Sequence, residues 1–81
     1  MSVYHPLRDY LRLSGRPQVR LTFREIEDIL GRPLPASAFR FPAWWSNERS
    51  GNHAQTQGWM NAGYMTVELD LSTRKVTFLK S

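Results

Sequence analysis

The fold is decided by residues 64–80, YMTVELDLSTRKVTFLK. The first half of this stretch alternates, with Met65, Val67 and Leu69 on one strand face and polar residues on the other. A short polar turn, Ser-Thr-Arg, follows, and residues 75–80 form an alternating return strand. Two adjacent alternating runs joined by a polar turn predict an antiparallel β-hairpin at the end of the chain.

A helix is predicted immediately before the hairpin, over residues 53–62. Asn52 is a suitable N-cap residue, and Gly63 is a suitable stop. Small residues recur every four positions on one face of this helix. Gly58 lies on that face and costs about 1 kcal/mol relative to alanine inside a helix. Its presence therefore indicates a close backbone contact.

A short strand and a capped helix lie further upstream. Residues 18–21 alternate between polar and apolar side chains and predict a brief strand. Thr22 and Glu25 have the spacing of a capping box, in which each side chain bonds to the backbone N–H of the other. An apolar stripe continues to Leu30, and Gly31 ends the pattern. The sequence therefore predicts a helix over residues 22–30.

The remaining segments are less regular. Residues 4–13 have helical apolar spacing, and residues 34–40 suit one or two helical turns. Residues 43–52 begin with Trp44 and Trp45 and then become polar and rich in turn formers, which predicts a loop.

These elements predict one domain over residues 1–81, of class α+β. Three to four helices accompany a small antiparallel sheet with a C-terminal hairpin. The strand near residues 18–21 would pair with the hairpin edge and complete three strands, because an isolated hairpin is marginally stable in water. The element order is typical of a winged-helix-like fold, and another small α+β fold is the alternative.

Composition limits the compartment and the class of partner. Eleven Lys and Arg against seven Asp and Glu give a net charge of +4, and nine of the eleven are Arg. The arginine side chain can form paired hydrogen bonds with phosphates and with guanine edges. A modest positive charge can equally be explained by its effect on solubility. The absence of cysteine excludes disulfides and thiolate metal sites and favours a reducing compartment. With no apolar run near 20 residues and no signal-peptide pattern at residues 1–6, we expect a cytoplasmic domain without a membrane partner.

Several motifs resemble a small bacterial and phage domain of unknown function. They are residues 4–11 (YHPLRDYL), 21–38 (LTFREIEDILGRPLPASA), 44–47 (WWSN), 53–55 (HAQ) and 59–64 (WMNAGY). The resemblance extends over nearly the whole chain, and the paired Trp before Ser-Asn is its most specific part. Members of this family occur alone or appended to larger proteins, some of them nuclease-like. The resemblance therefore implies a recognition module.

The candidate site is the loop and helix start around the paired Trp. A Trp face can stack on a base, Asn and Gln can bond adenine, and Arg and Lys can contact phosphate. Alternatively, either Trp is a core side chain and Asn47 holds the loop in place. The residues expected to contact nucleic acid are Arg40, Trp45, Ser46, Asn47, Arg49, His53, Gln55, Gln57, Arg74 and Lys75.

No catalytic, metal or cofactor site is expected. His5 and His53 are the only histidines, and neither has a second ligand at metal-binding spacing. We therefore expect a nucleic-acid-binding module, with DNA favoured, in a bacterial or phage regulatory or defence-related protein. The alternative is a protein-interaction domain or a phage-encoded inhibitor that docks on a larger nucleic-acid machine. The sequence does not specify an oligomeric state.

Overall fold

The computed structural model describes residues 3–48 and 54–81. The described residues form four α-helices, one 3₁₀ helix and three strands, and the predicted C-terminal helix and hairpin are confirmed. The elements are α1 (His5–Ser14), β1 (Gln18–Thr22), α2 (Phe23–Leu30), α3 (Ala36–Arg40), a 3₁₀ helix (Pro42–Trp45), α4 (Ala54–Met60), β2 (Tyr64–Asp70) and β3 (Lys75–Lys80).

The three strands form one antiparallel sheet in the order β1-β3-β2. Val19 lies opposite Phe78, and Leu21 lies opposite Val76, so these four side chains share the face that packs on the helices. The predicted pairing of the short strand with the hairpin is confirmed. The fold is therefore a small α+β domain in which the last strand is central.

The alternation predicted for β2 is interrupted by a bulge. The register shifts between Val67 and Asp70, and Glu68 has a φ of 48°. Val67 lies opposite Thr77, on the sheet face away from the core, whereas Leu69 packs against the core. The prediction of a single apolar face was therefore wrong beyond Val67, because the extra residue reverses the phase of the strand.

The capping box of α2 is confirmed. Glu25 donates its backbone N–H to Thr22 Oγ1 at 3.0 Å, and Thr22 donates its backbone N–H to Glu25 Oε1 at 2.8 Å. Gly31 ends the helix with a φ of 72°, a conformation that favours glycine. The helix buries Phe23, Ile26 and Leu30.

Helix α1 packs against α4 through a close contact at Gly58. A β-carbon at this position would lie 3.0 Å from Tyr4 Cβ and 3.3 Å from Tyr4 O. The expected close backbone contact is therefore present. On the other side of α1, Leu13 is 88% exposed, although its spacing grouped it with the apolar positions.

Two predicted boundaries are corrected between α3 and α4. The predicted loop begins as a 3₁₀ helix at Pro42–Trp45, and α4 ends at Met60, before the predicted end at residue 62. The predicted cap Asn52 lies outside the described residues. Within residues 3–48 and 54–81, no helix is long and apolar enough to cross a membrane.

Candidate nucleic-acid interface

Trp45 is a core residue, which corrects its expected role in base stacking. It is 2% exposed, and its ring lies between the rings of Phe23, at 4.8 Å, and Trp59, at 5.9 Å. Its Nε1–H donates to the Ala38 carbonyl at 2.9 Å. Both ring faces and the polar edge are therefore occupied by the protein.

Asn47 is also committed to internal contacts. Its Oδ1 accepts hydrogen bonds from Trp59 Nε1, at 3.1 Å, and from Thr66 N and Oγ1, at 2.8 and 3.0 Å. Its Nδ2 donates to Thr66 O at 3.0 Å. Asn47 therefore pairs with the backbone of β2 as an extra strand would, and the amide oxygen has no remaining capacity for a base edge.

The first turn of α4 is tied to the same segment. Gln55 is 7% exposed and donates to Trp44 O at 3.2 Å. Thr56 Oγ1 donates to Ser46 O at 3.2 Å. The half-buried Ser46 donates its backbone N–H to Ala43 O. Gln55 is thus buried and anchors the loop, contrary to the contact role expected for it, whereas Ser46 bonds through its backbone and its expected side-chain contact stays a prediction.

Sequence reasoning missed Thr56 and Thr66, which complete this internal network. The single hydroxyl hydrogen of Thr66 is shared between Asn47 Oδ1 and Trp45 O. The alternation of β2 placed Thr66 on the polar strand face, so the sequence did not mark its hydroxyl as an internal partner. Within the described residues, no buried side-chain polar atom lacks a hydrogen-bond partner.

The other residues expected to contact nucleic acid are either exposed or lie outside the described residues. Gln57 is exposed on α4, which contains no Lys or Arg. Arg49 and His53 lie outside the described residues. Arg40, Arg74 and Lys75 are all exposed. Arg74 lines a hollow with Phe39, whereas Lys75 lines another one with Glu68 and Asp70. We refer to these three cations as the turn surface.

The turn surface is organised by the β2–β3 turn. Arg74 has a φ of 58°, and its backbone carbonyl accepts from Phe23 N at 2.9 Å, which fixes the turn to the start of α2. The Arg74 guanidinium carbon lies 5.2 Å from the centre of the Phe39 ring. This contact orients the cation next to α3, where Arg40 is the following residue.

Carboxylates near the turn bond to other groups. Asp70 Oδ1 accepts from Ser72 N, Ser72 Oγ and Thr73 N at 3.0, 2.7 and 3.1 Å. These hydrogen bonds, led by the one from the Ser72 side chain, lower the pKa of Asp70. The Glu68 carboxylate lies 4.0 Å from the Arg20 guanidinium, and the Asp28 carboxylate lies 3.5 Å from that of Arg24. In the described part of the chain, no carboxylate lies within salt-bridge distance of the turn surface.

Side chains that could ligate a metal ion do not cluster within the described residues. No group of three or more His, Asp or Glu residues within residues 3–48 and 54–81 is placed to hold a metal ion. A raised pKa occurs at Tyr4, where burial outweighs the opposing effect of the Arg32 charge. Tyr4 packs against Trp44 and Gly58, which accounts for that burial.

Comparison with known proteins identifies the family. A family model described as a domain of unknown function (DUF7662) matches residues 4–81. The match extends over nearly the whole chain, so the protein belongs to this family, and the resemblance noted from the sequence motifs is confirmed at that level. Neither curated proteins nor solved structures gave a match.

Proposed function

We propose that this member of the DUF7662 family is a nucleic-acid-binding module with a winged-helix-like arrangement and a preference for DNA. The order α1, β1, α2, the short α3, α4 and the β2–β3 hairpin supports this proposal, as does the strand order β1-β3-β2. In such an arrangement α4 precedes the hairpin, and the β2–β3 turn forms the wing. We further propose that the module is part of a bacterial or phage regulatory or defence-related protein of the cytoplasm.

The proposal rests on the unpaired cations of the turn surface. Arg40, Arg74 and Lys75 are exposed, without a carboxylate in salt-bridge distance among the described residues. Releasing the counterions of DNA phosphates favours binding by cations of this kind. The Phe39 ring also holds the Arg74 guanidinium in a limited set of orientations, which reduces the entropy lost on binding.

Helix α4 contributes less than a typical recognition helix would. Gln57 and Asn61 are exposed on or after it, and both can bond base edges. The described part of α4, Ala54–Met60, contains no cation, and Gln55 is turned inward. We therefore propose that phosphate contacts supply most of the affinity and that sequence discrimination is weak.

Fluorescence anisotropy across a salt series tests this proposal. We expect a labelled DNA duplex to bind with a slope of log K against log salt of about −2 to −3, because each neutralised phosphate contributes about −0.9. The double variant Arg74→Gln, Lys75→Gln should reduce that slope by about 2. Arg32→Gln is the matched control, since Arg32 is exposed but lies at the end of α2 away from the turn.

Two results would contradict the proposal. One is the absence of salt-sensitive binding to duplex DNA, single-stranded DNA and duplex RNA. The other is an unchanged slope in the double variant relative to Arg32→Gln. Tighter binding to RNA or to single-stranded DNA would support a nucleic-acid-binding module but contradict the preference for duplex DNA.

A second candidate is a protein-interaction domain, including an inhibitor that docks on a larger nucleic-acid machine. Tyr10 and Leu13 favour it, because they are 41% and 88% exposed on the same helix. Exposed apolar side chains close together commonly mark protein contacts.

A further inference from the structure

A groove between α1 and β1 combines apolar and basic side chains. It is lined by Tyr10, Leu13, Ser14, Arg16 and Val19. Leu13 is 88% exposed and Tyr10 is 41% exposed, whereas Val19 is buried at the base. We refer to this feature as the α1–β1 groove. Its walls offer an apolar anchoring position with an arginine at the rim.

The groove lies beside an edge of the sheet that has no neighbouring strand. Strand β1 pairs only with β3 among the described strands. Pro17 accepts from Lys80 N at 2.8 Å, and Phe23 donates to Arg74 O at 2.9 Å. Hydrogen-bonded positions alternate in an antiparallel pair, so the odd-numbered residues of β1 bond to β3.

The even-numbered residues of β1 therefore direct their backbone groups away from the sheet. Thr22 N is satisfied by Glu25 Oε1 at 2.8 Å. Gln18 and Arg20 remain, each with one N–H and one C=O directed to the open edge. Both residues are exposed. Two donors and two acceptors at this spacing match the main chain of an added strand.

Charge around this edge is predominantly positive. Arg12 lies at the same end of the domain, where its Nη2 donates to Asn61 O at 2.9 Å. The backbone carbonyl of Arg16 accepts a hydrogen bond from Tyr64 Oη at 2.6 Å. The Arg16 guanidinium forms no ion pair among the described residues. The acid of α1, Asp9, is paired with Arg8 at 3.0 Å. A negatively charged partner therefore complements this edge.

We propose that β1 and the α1–β1 groove bind an extended segment of a partner protein that contains an apolar residue flanked by acidic residues. The segment adds a fourth strand through Gln18 and Arg20. Its apolar side chain enters between Leu13 and Val19, and its carboxylates meet Arg16. This function goes beyond nucleic-acid binding and does not depend on it.

Other occupants fit the same surface less well. A second copy of β1 would bring Arg16 and Arg20 of both chains together, and like charges across a strand pair are destabilising. A nucleic acid would meet the aliphatic side chains of Leu13 and Val19, and of the lining residues only Tyr10 has an aromatic face on which a base could stack. Main-chain groups at an open edge favour a peptide backbone instead.

The test uses a fluorescein-labelled peptide in which Val-Leu-Val is flanked by Asp-Glu pairs, and a control peptide with Lys-Lys flanks. We expect the acidic peptide to bind and the basic one not to bind. Leu13→Asp and Arg16→Glu should each weaken binding at least tenfold. Phe41→Asp is the matched control, because Phe41 is 57% exposed and does not line the groove. Thermal melts check that each variant is folded.

Two further measurements locate the peptide. Amide resonances of Gln18 and Arg20 should shift and gain hydrogen-exchange protection on titration with the peptide. Gln18→Pro should weaken binding, because it removes an outward N–H at an edge position where proline is tolerated. The double variant Arg74→Gln, Lys75→Gln should bind the peptide normally, which separates this proposal from the nucleic-acid one.

Four outcomes would overturn the proposal. They are equal binding of the two peptides, an unchanged affinity in Leu13→Asp, displacement of the peptide by an oligonucleotide that shifts the same amides, and self-association that protects Gln18 and Arg20 without peptide. The third would assign the groove to nucleic acid, and the fourth would assign it to a second copy of the chain.

Discussion

Replacing Asn47 with alanine should destabilise the domain strongly. The amide of Asn47 makes four hydrogen bonds, three through Oδ1 and one through Nδ2. Trp59, one of the donors, is fully buried, and Thr66 is half-buried. Alanine would leave Trp59 Nε1–H and Thr66 N–H without their acceptor, in a place where water has limited access.

The magnitude follows from those two orphaned donors. Each unsatisfied buried donor costs about 1–3 kcal/mol, so the free energy of unfolding should fall by roughly 2–6 kcal/mol. A domain of this length has a total stability on the order of 4–12 kcal/mol. Each kcal/mol lowers the Tm by roughly 4–8 °C at this size, so the loss should be large in a thermal melt.

Urea unfolding followed by tryptophan fluorescence measures this loss directly. Asn61→Ala is the matched control, because Asn61 is exposed and only its backbone atoms make hydrogen bonds in the structure. The control should stay within about 0.5 kcal/mol of the parent protein. If Asn47→Ala were as mild as the control, Asn47 would not anchor the loop, and its expected role at a binding site would regain support.

Three further predictions concern the helix cap, the helix contact and the hairpin turn. Thr22→Ala should cost about 1 kcal/mol in urea unfolding, because the Glu25 N–H loses its acceptor. Gly58→Leu should lower the Tm sharply, since even a β-carbon would lie 3.0 Å from Tyr4 Cβ; an unchanged Tm would refute the tight packing of α1 on α4. Hydrogen bonds lower the pKa of Asp70, so its stabilisation of the turn should persist above the unfolded-chain pKa of about 3.9 and disappear as pH falls through the lower folded pKa. A carboxyl NMR titration should show that pKa, and Asp70→Asn should remove this part of the acid dependence.

Local signals predicted most of the fold. Thr22 and Glu25 marked the start of α2 because a capping box is a contact between residues three apart. The hairpin was equally visible, since its strands are adjacent in sequence. The bulge at Glu68 was not visible, because it depends on the register with β3 and on which face each side chain must occupy.

The site was harder to predict, because the polar groups that bind a nucleic-acid base are the same ones that hold a buried loop in place. Asn47, Ser46 and Gln55 suit a base edge and suit a buried loop equally well. Only the position of Thr66 in the folded chain shows that Asn47 is saturated. The exposed cations of the turn surface were correctly placed on the outside, because no apolar pattern included them.

The angular positions of the leucines around α1 separate Leu13 from the buried residues of that helix, although apolar spacing along the sequence groups them together. Successive helix residues are about 100° apart. Leu11 therefore lies about 40° from Leu7 around the axis, and both are buried. Leu13 lies about 120° from Leu7 on the opposite side, too far to join the same stripe. Leu13 is exposed at that angle, beside Arg16 and an open strand edge, and it contributes nothing to the core. We therefore favour binding of a partner over core packing as the explanation for this leucine.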